Sequence, residues 1–152
     1  MFYVRDSRVN KPFCSYTDAH TEDITQIRFH PSEPNSVLSG SMDGLICMYD
    51  ARLAVVNNTD DLLTTVTNTE LPIARFGFIG SAVYCITTME SLSFWQPEEA
   101  HLLHDFGDIR KAAPLPTDYV LDVMLAPSDT HACLITGNHE FGIPQSPLSD
   151  AF

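Results

Sequence analysis

His20-Thr-Glu-Asp-Ile-Thr-Gln-Ile-Arg-Phe-His-Pro31 and, eight positions on, Ser39-Gly-Ser-Met-Asp-Gly-Leu-Ile-Cys-Met-Tyr-Asp50 are the stretches whose reading decides the fold. In the first, Ile24, Ile27 and Phe29 lead into an apolar-polar alternation that stops at Pro31, as in a half-buried strand running into a turn. Ser32-Glu-Pro-Asn-Ser36 collects turn formers, and Val37-Leu-Ser-Gly-Ser41 is again short and β-prone. Asp43-Gly44 suits a tight hairpin turn, after which Leu45-Ile-Cys-Met-Tyr49 reads as the returning strand. No helical period of apolar residues lies between, so the segment is an antiparallel meander.

The same grammar recurs downstream. Pro72–Ile79, Ala82–Thr87 and Leu92-Ser-Phe-Trp95 repeat strand, strand, turn and aromatic-ended strand, with Met89-Glu90-Ser91 in the turn. A third copy begins at Tyr119–Leu125, passes Pro127-Ser-Asp-Thr130, and continues through Ala132–Thr136 to Gly137-Asn-His-Glu-Phe-Gly142. Asp6 to Asp50 is 44 positions and Tyr49 to Trp95 is 46, while Ser39, Thr87 and Thr136 stand 48 and 49 apart. A period in the middle forties made of short strands is the signature of propeller blades, each a four-stranded sheet.

The chain has 152 residues, 44% of them apolar, enough for one folded domain. Its net charge of −12 repels phosphate backbones and anionic lipid, which argues against nucleic-acid and membrane partners. Cys14, Cys47, Cys85 and Cys133 form no C-x-x-C pair and no tight disulfide framework, which fits a reducing compartment. Arg5, Asp6 and Arg8 break any leader-like apolar start. The longest charge-free apolar run, Phe76–Met89, has 14 residues and is too short to span a bilayer. A soluble intracellular protein, cytoplasmic, nuclear or both, is expected.

The two opening stretches together resemble a WD40 repeat along its whole length. The resemblance implies a hydrogen-bonded structural tetrad of His20, Ser39, Asp43 and Tyr49, with the His before the first strand, the Ser on the second, the Asp in the following turn and the aromatic on the third. Tyr49 replaces the usual Trp and keeps an aromatic body with a polar tip. His20, Ser39 and Asp43 also invite comparison with a hydrolase triad. No Gly-x-Ser-x-Gly elbow presents the serine, and no oxyanion hole can be argued, so the set reads as structural. In the second copy Trp95 is kept, but the turn holds Met89-Glu90 and no His matches, so the bonding series is expected to be broken. In the third, Thr136 and Glu140 keep the four-residue offset of Ser39 and Asp43.

Other polar groups read more plainly. His101-Leu-Leu-His104-Asp105 would offer two imidazoles and a carboxylate on one turn if helical, but no remote fourth ligand for zinc is evident, and a solvated link between blades is expected. His30, His131 and His139 read as strand or turn residues, and Asp60-Asp61 and Glu98-Glu99 as exposed loop charge. Val37–Arg52 is similar to the box by which some WD40 proteins engage the adaptor of cullin-4 ubiquitin ligases. By that resemblance Tyr49-Asp50-Ala51-Arg52 would place Asp50 and Arg52 at a partner-binding corner, and Asp6-Ser7-Arg8 repeats the ending weakly.

The expected fold is therefore all-β, an incomplete WD40-type β-propeller of about two and a half blades. The expected divisions are 1–12 as the end of a preceding blade, 13–69 as the first blade, 70–113 as a divergent second, 114–142 as a partial third, and 143–152 as an irregular tail whose prolines oppose a strand. The expected role is a non-catalytic scaffold for protein partners, with no cofactor and no bound metal. A fragment or short isoform of a longer propeller is the reading of its length, with self-association if it is naturally this short. A cullin-4 substrate receptor is the narrower alternative, and a metal protein or enzyme using His101 and His104 a third.

Overall fold

The computed structural model describes residues 2–5, 12–16, 19–52, 62–126, 131–139 and 145–147, the first two and the last of these as backbone only. Strands β1 (Phe2–Arg5) and β2 (Pro12–Tyr16) form an antiparallel pair. Next come β3 (Ile24–Phe29), β4 (Ser36–Ser41), β5 (Leu45–Asp50) and β6 (Leu63–Asn68), four antiparallel strands in sequential order. A second four-stranded sheet follows, β7 (Ile73–Ile79), β8 (Ala82–Thr87), β9 (Ser91–Gln96) and β10 (His101–Asp108). One helical turn, α1 (Ile109–Ala112), leads to β11 (Tyr119–Leu125), β12 (Ala132–Gly137) and β13 (Gln145–Pro147). The two complete meanders are four-stranded antiparallel sheets of the blade form that the period of the sequence anticipates.

The second strand of each full sheet, β4 and β8, is buried along its whole length. Successive side chains point to opposite faces, so each such strand feeds two interfaces. Leu38, Ile46 and Met48 of the first sheet pack against Ile73, Phe76, Val83 and Cys85 of the second. The intervening residues Tyr84, Ile86, Leu92 and Phe94 turn the other way, onto Ile109, Val123, Ala132 and Leu134. A fully buried side chain such as Phe76 contributes about 2–3 kcal/mol here. Gly40 is required by this contact, because a Cβ there would stand 2.8 Å from Phe76 Cδ1. The far face of the first sheet carries the smaller cluster of Val37, Cys47, Tyr49 and Leu62.

Polar bonds cross the same interfaces. The Phe76 amide donates to Gln26 Oε1 at 3.0 Å, and the Val120 amide to Glu90 Oε2 at 2.6 Å. Tyr84 donates to Asp122 Oδ1 at 2.6 Å, and Arg75 donates to the Leu121 carbonyl while pairing with Asp122 at 3.5 Å. Among the described residues no helix is long and apolar enough to cross a membrane.

Four expectations are corrected. Pro12–Tyr16 takes β1 as its ladder partner, so the boundary expected between 12 and 13 falls inside β2 and the first full sheet starts at Ile24. His101–Asp108 is the fourth strand of the second sheet rather than a solvated link, paired to β9 through two register shifts. The expected irregular tail contains β13, which pairs Gln145, Ser146 and Pro147 with Ile135, Leu134 and Cys133. The strand is tolerated because it lies at a sheet edge and Pro147 is its last residue. The fourth concerns register. Ser39 pairs with Cys47 and Val37 with Tyr49, while Cys85 pairs with Ser93 and Val83 with Trp95, the same separations across each turn. Cys85, not Thr87, thus occupies the place of Ser39, and Met89 that of Asp43; Thr87 answers to Ser41.

Candidate functional site

The first sheet's hairpin brings four distant side chains into one chain of bonds. The β4–β5 turn closes on Gly44, whose φ of 82° suits glycine, and this sets Asp43 beneath the loop that enters β3. Asp43 Oδ1 and Oδ2 lie 3.2 and 3.1 Å from His20 Nδ1. A carboxylate only accepts, so Nδ1 carries the proton, and Nε2 pairs with the Ser39 hydroxyl at 2.7 Å. Ser39 Oγ in turn meets the Tyr49 hydroxyl at 3.2 Å. The carboxylate also accepts the backbone amides of Thr21 at 2.9 Å and Leu45 at 3.0 Å. The His20 and Asp43 side chains are 1% and 6% exposed, so little water competes.

The electrostatics follow from that enclosure. Burial raises the Asp43 carboxyl, but the Thr21 and Leu45 amides and the His20 ring outweigh it and hold it below its ordinary value. Burial pushes the Cys47 thiol up to about 11, and raises the Tyr49 hydroxyl against the opposing bond from Ser39. Ser39 is fully buried and its oxygen is engaged on both sides, so no carbonyl substrate can reach it. The arrangement ties the entry loop, β4, the turn and β5 in register.

The second sheet builds the equivalent region differently. Cys85 stands in the place of Ser39, its thiol pushed up to about 12 by burial and opposed by a hydrogen bond with Thr69 of the entry loop. Met89 occupies the turn position and is 54% exposed. Trp95 Nε1 donates to Ser93 Oγ at 2.8 Å on its own strand, and Thr87 and Ser91 bond to each other at 2.6 Å. The bonding series of the first sheet is absent here among the described residues. In the third sheet Thr117 reaches Thr136 at 3.4 Å, and Glu140 lies outside the described residues.

Asp50 and Arg52 stand at the opposite end of β5. Arg52 Nε lies 3.0 Å from each Asp50 oxygen and Nη2 2.5 Å from Oδ2, a bidentate pair at the surface. The Arg52 side chain is 69% exposed beside a recess of about 190 Å3 lined also by Glu33, Pro34 and Asn35. The side-chain and backbone bonds from Arg52 hold the Asp50 carboxyl below its usual range. Asp6-Ser7-Arg8 and Asp60-Asp61 lie outside the described residues.

The remaining histidines separate. His101 and His104 lie on β10, about 10 Å apart along a strand rather than on one helical turn, and His104 packs on Phe106. Among the described residues no group of three potential metal ligands converges. His30 is buried, where Nδ1 accepts the Ser32 and Glu33 amides and Nε2 faces Glu98 Oε1 of the second sheet at 3.8 Å. The sequence reading misses Thr69 and the Glu98 contact, which stand at no motif spacing, and Cys85, which the 46-position offset from Tyr49 to Trp95 sets opposite Ser39; for His30, the adjoining Pro31 and turn-forming stretch were the available signal.

The four-stranded meanders have the form of propeller blades, and the curated relatives of this chain are WD repeat-containing proteins. It is 45% identical over 96 residues to the WD repeat-containing protein 89 homolog of Dictyostelium discoideum, covering 60% of this chain and 26% of that one. It is 37% identical over 97 residues to the WD repeat-containing protein GTS1 of Arabidopsis thaliana, covering 62% and 24%. The chain thus spans about a quarter of the length of these relatives. No family model matches. A chain in the solved mitotic checkpoint complex superposes with a TM-score of 0.68 at 17% identity over 97% of this chain and 43% of that one, a likeness of fold.

Proposed function

We propose that these blades form part of a rigid, non-catalytic scaffold that holds protein partners at its loops and edges. The supporting observation is the contrast between a stiff frame and unused surface. The tetrad polar groups satisfy one another internally, while loop and rim groups such as Met89 and Arg52 face solvent. The quarter-length coverage of the relatives and the exposed Ile27, Phe29, Met124 and Leu125 on first strands of the first and third sheets support membership of a longer ring. Affinity purification of the tagged chain, repeated with surface variants, tests the scaffold reading. A reproducible set of proteins, some lost on a surface substitution that leaves folding intact, is expected; no retained protein above a control would contradict it.

The narrower reading is docking to a cullin-4 ligase adaptor through Tyr49-Asp50-Ala51-Arg52, favoured by the exposed, Asp50-oriented Arg52 guanidinium. Binding of the purified adaptor, with loss on Arg52→Ala, is the expected result. Undiminished binding by that variant would contradict it.

A further inference from the structure

We infer that the groove between the β6–β7 connection and strands β9 and β10 of the second sheet is a docking slot for an extended basic peptide segment that carries a large apolar side chain. The inference rests on the scaffold reading and gives one of its surfaces a partner chemistry.

The groove has a volume of about 620 Å3 and is lined chiefly by Thr69, Leu71, Met89, Ser93, Trp95 and Leu102. Its origin is the altered tetrad. In the first sheet the His20 ring fills the space between entry loop, turn and third strand, whereas Thr69, Cys85 and Met89 put no ring and no carboxylate there. The two sheets touch where Thr65 Oγ1 donates to the Glu98 carbonyl at 3.4 Å.

The floor is apolar and uncovered. Leu71, Met89 and Leu102 are 38%, 54% and 41% exposed around a half-buried Trp95. The indole N–H is already given to Ser93, so Trp95 offers ring surface rather than a donor. The rim is acidic. Arg110, its one cation, is engaged by Asp108 and by the Met89 carbonyl. Glu70 and Asp105 also line the groove, and neither has an ion-pair partner among the described residues. A chain with net charge −12 deepens that field. An apolar side chain seated on Trp95 and Leu102, with a flanking Lys or Arg at Glu70 and Asp105, satisfies both features.

Trp95 is the sole tryptophan, so its emission reports the slot directly. The full chain is titrated with an acetylated Arg-Leu-Lys-Leu-Arg amide and with its Glu-Leu-Glu-Leu-Glu counterpart. A saturable change in Trp95 emission with the basic peptide only is expected, weakened about fivefold in a Glu70→Gln, Asp105→Asn double variant whose circular dichroism is unchanged. No response to the basic peptide, equal response to the acidic one, or undiminished binding by the variant would overturn the inference. If the titration fails while affinity purification still retains proteins, the slot alone falls; if both fail, the scaffold reading falls with it.

Discussion

The β4–β5 turn and the β8–β9 turn match in register yet are held by different chemistry. The first is tied by a carboxylate, an imidazole and two hydroxyls, the second by a thiol, short hydroxyl bonds and an exposed methionine. The packing suggests why both are stable. The second sheet is gripped on both faces by large apolar clusters, whereas among the described residues the far face of the first carries the smaller one around Val37 and Leu62. A polar network that pins register matters most where one apolar cluster is small. Where both clusters are large the network can be dismantled, and the space it leaves becomes available surface.

That comparison can be broken by substitution. Asp43→Ala leaves the His20 ring and the Thr21 and Leu45 amides without their acceptor, and a loss of about 2–4 kcal/mol in a urea titration is expected. Met89→Ala, at the equivalent turn position, is expected to cost under about 0.5 kcal/mol, since Met89 is more than half exposed. Gly40→Ala forces its new methyl against Phe76 and is expected to cost about 1–3 kcal/mol.

Acid sharpens the same contrast. Because the folded Asp43 carboxyl lies below its ordinary value of 3.8, its stabilisation is present above that value and is lost as pH falls through the folded one. The difference in urea midpoint between pH 7 and pH 3 should shrink in Asp43→Asn. Tyr49→Phe removes one end of the bonding series and is expected to cost about 1 kcal/mol by the same titration. Arg52→Ala breaks only a surface pair, so no change in thermal midpoint is expected.

Sequence pattern exposes the first three strands of the first sheet, because β3, β4 and β5 alternate or run apolar between a Pro-containing loop and Asp43-Gly44. The fourth strands, Leu63–Asn68 and His101–Asp108, hide from such reading because they are polar, largely solvated edges paired on one side. The tetrad is legible through the resemblance to a WD40 repeat, and its Asp43, Ser39 and Tyr49 belong to a single hairpin of fixed register. In the second sheet Thr87 imitates a serine at nearly the right distance, while the 46-position offset from Tyr49 to Trp95 and the strand pairing both mark Cys85 as the true counterpart. Contacts between sheets, such as Glu90 with the Val120 amide and His30 with Glu98, follow from how blades stack and leave no local pattern.

Native-state hydrogen exchange at the two turns tests the central claim most directly. The Thr21 and Leu45 amides, bound to the Asp43 carboxylate, should exchange more slowly than the Met89 and Ser91 amides, bound to the Thr87 hydroxyl, and Asp43→Asn should erase the difference. Equal protection at the two turns in the unmodified chain, or a difference that survives Asp43→Asn, would contradict it.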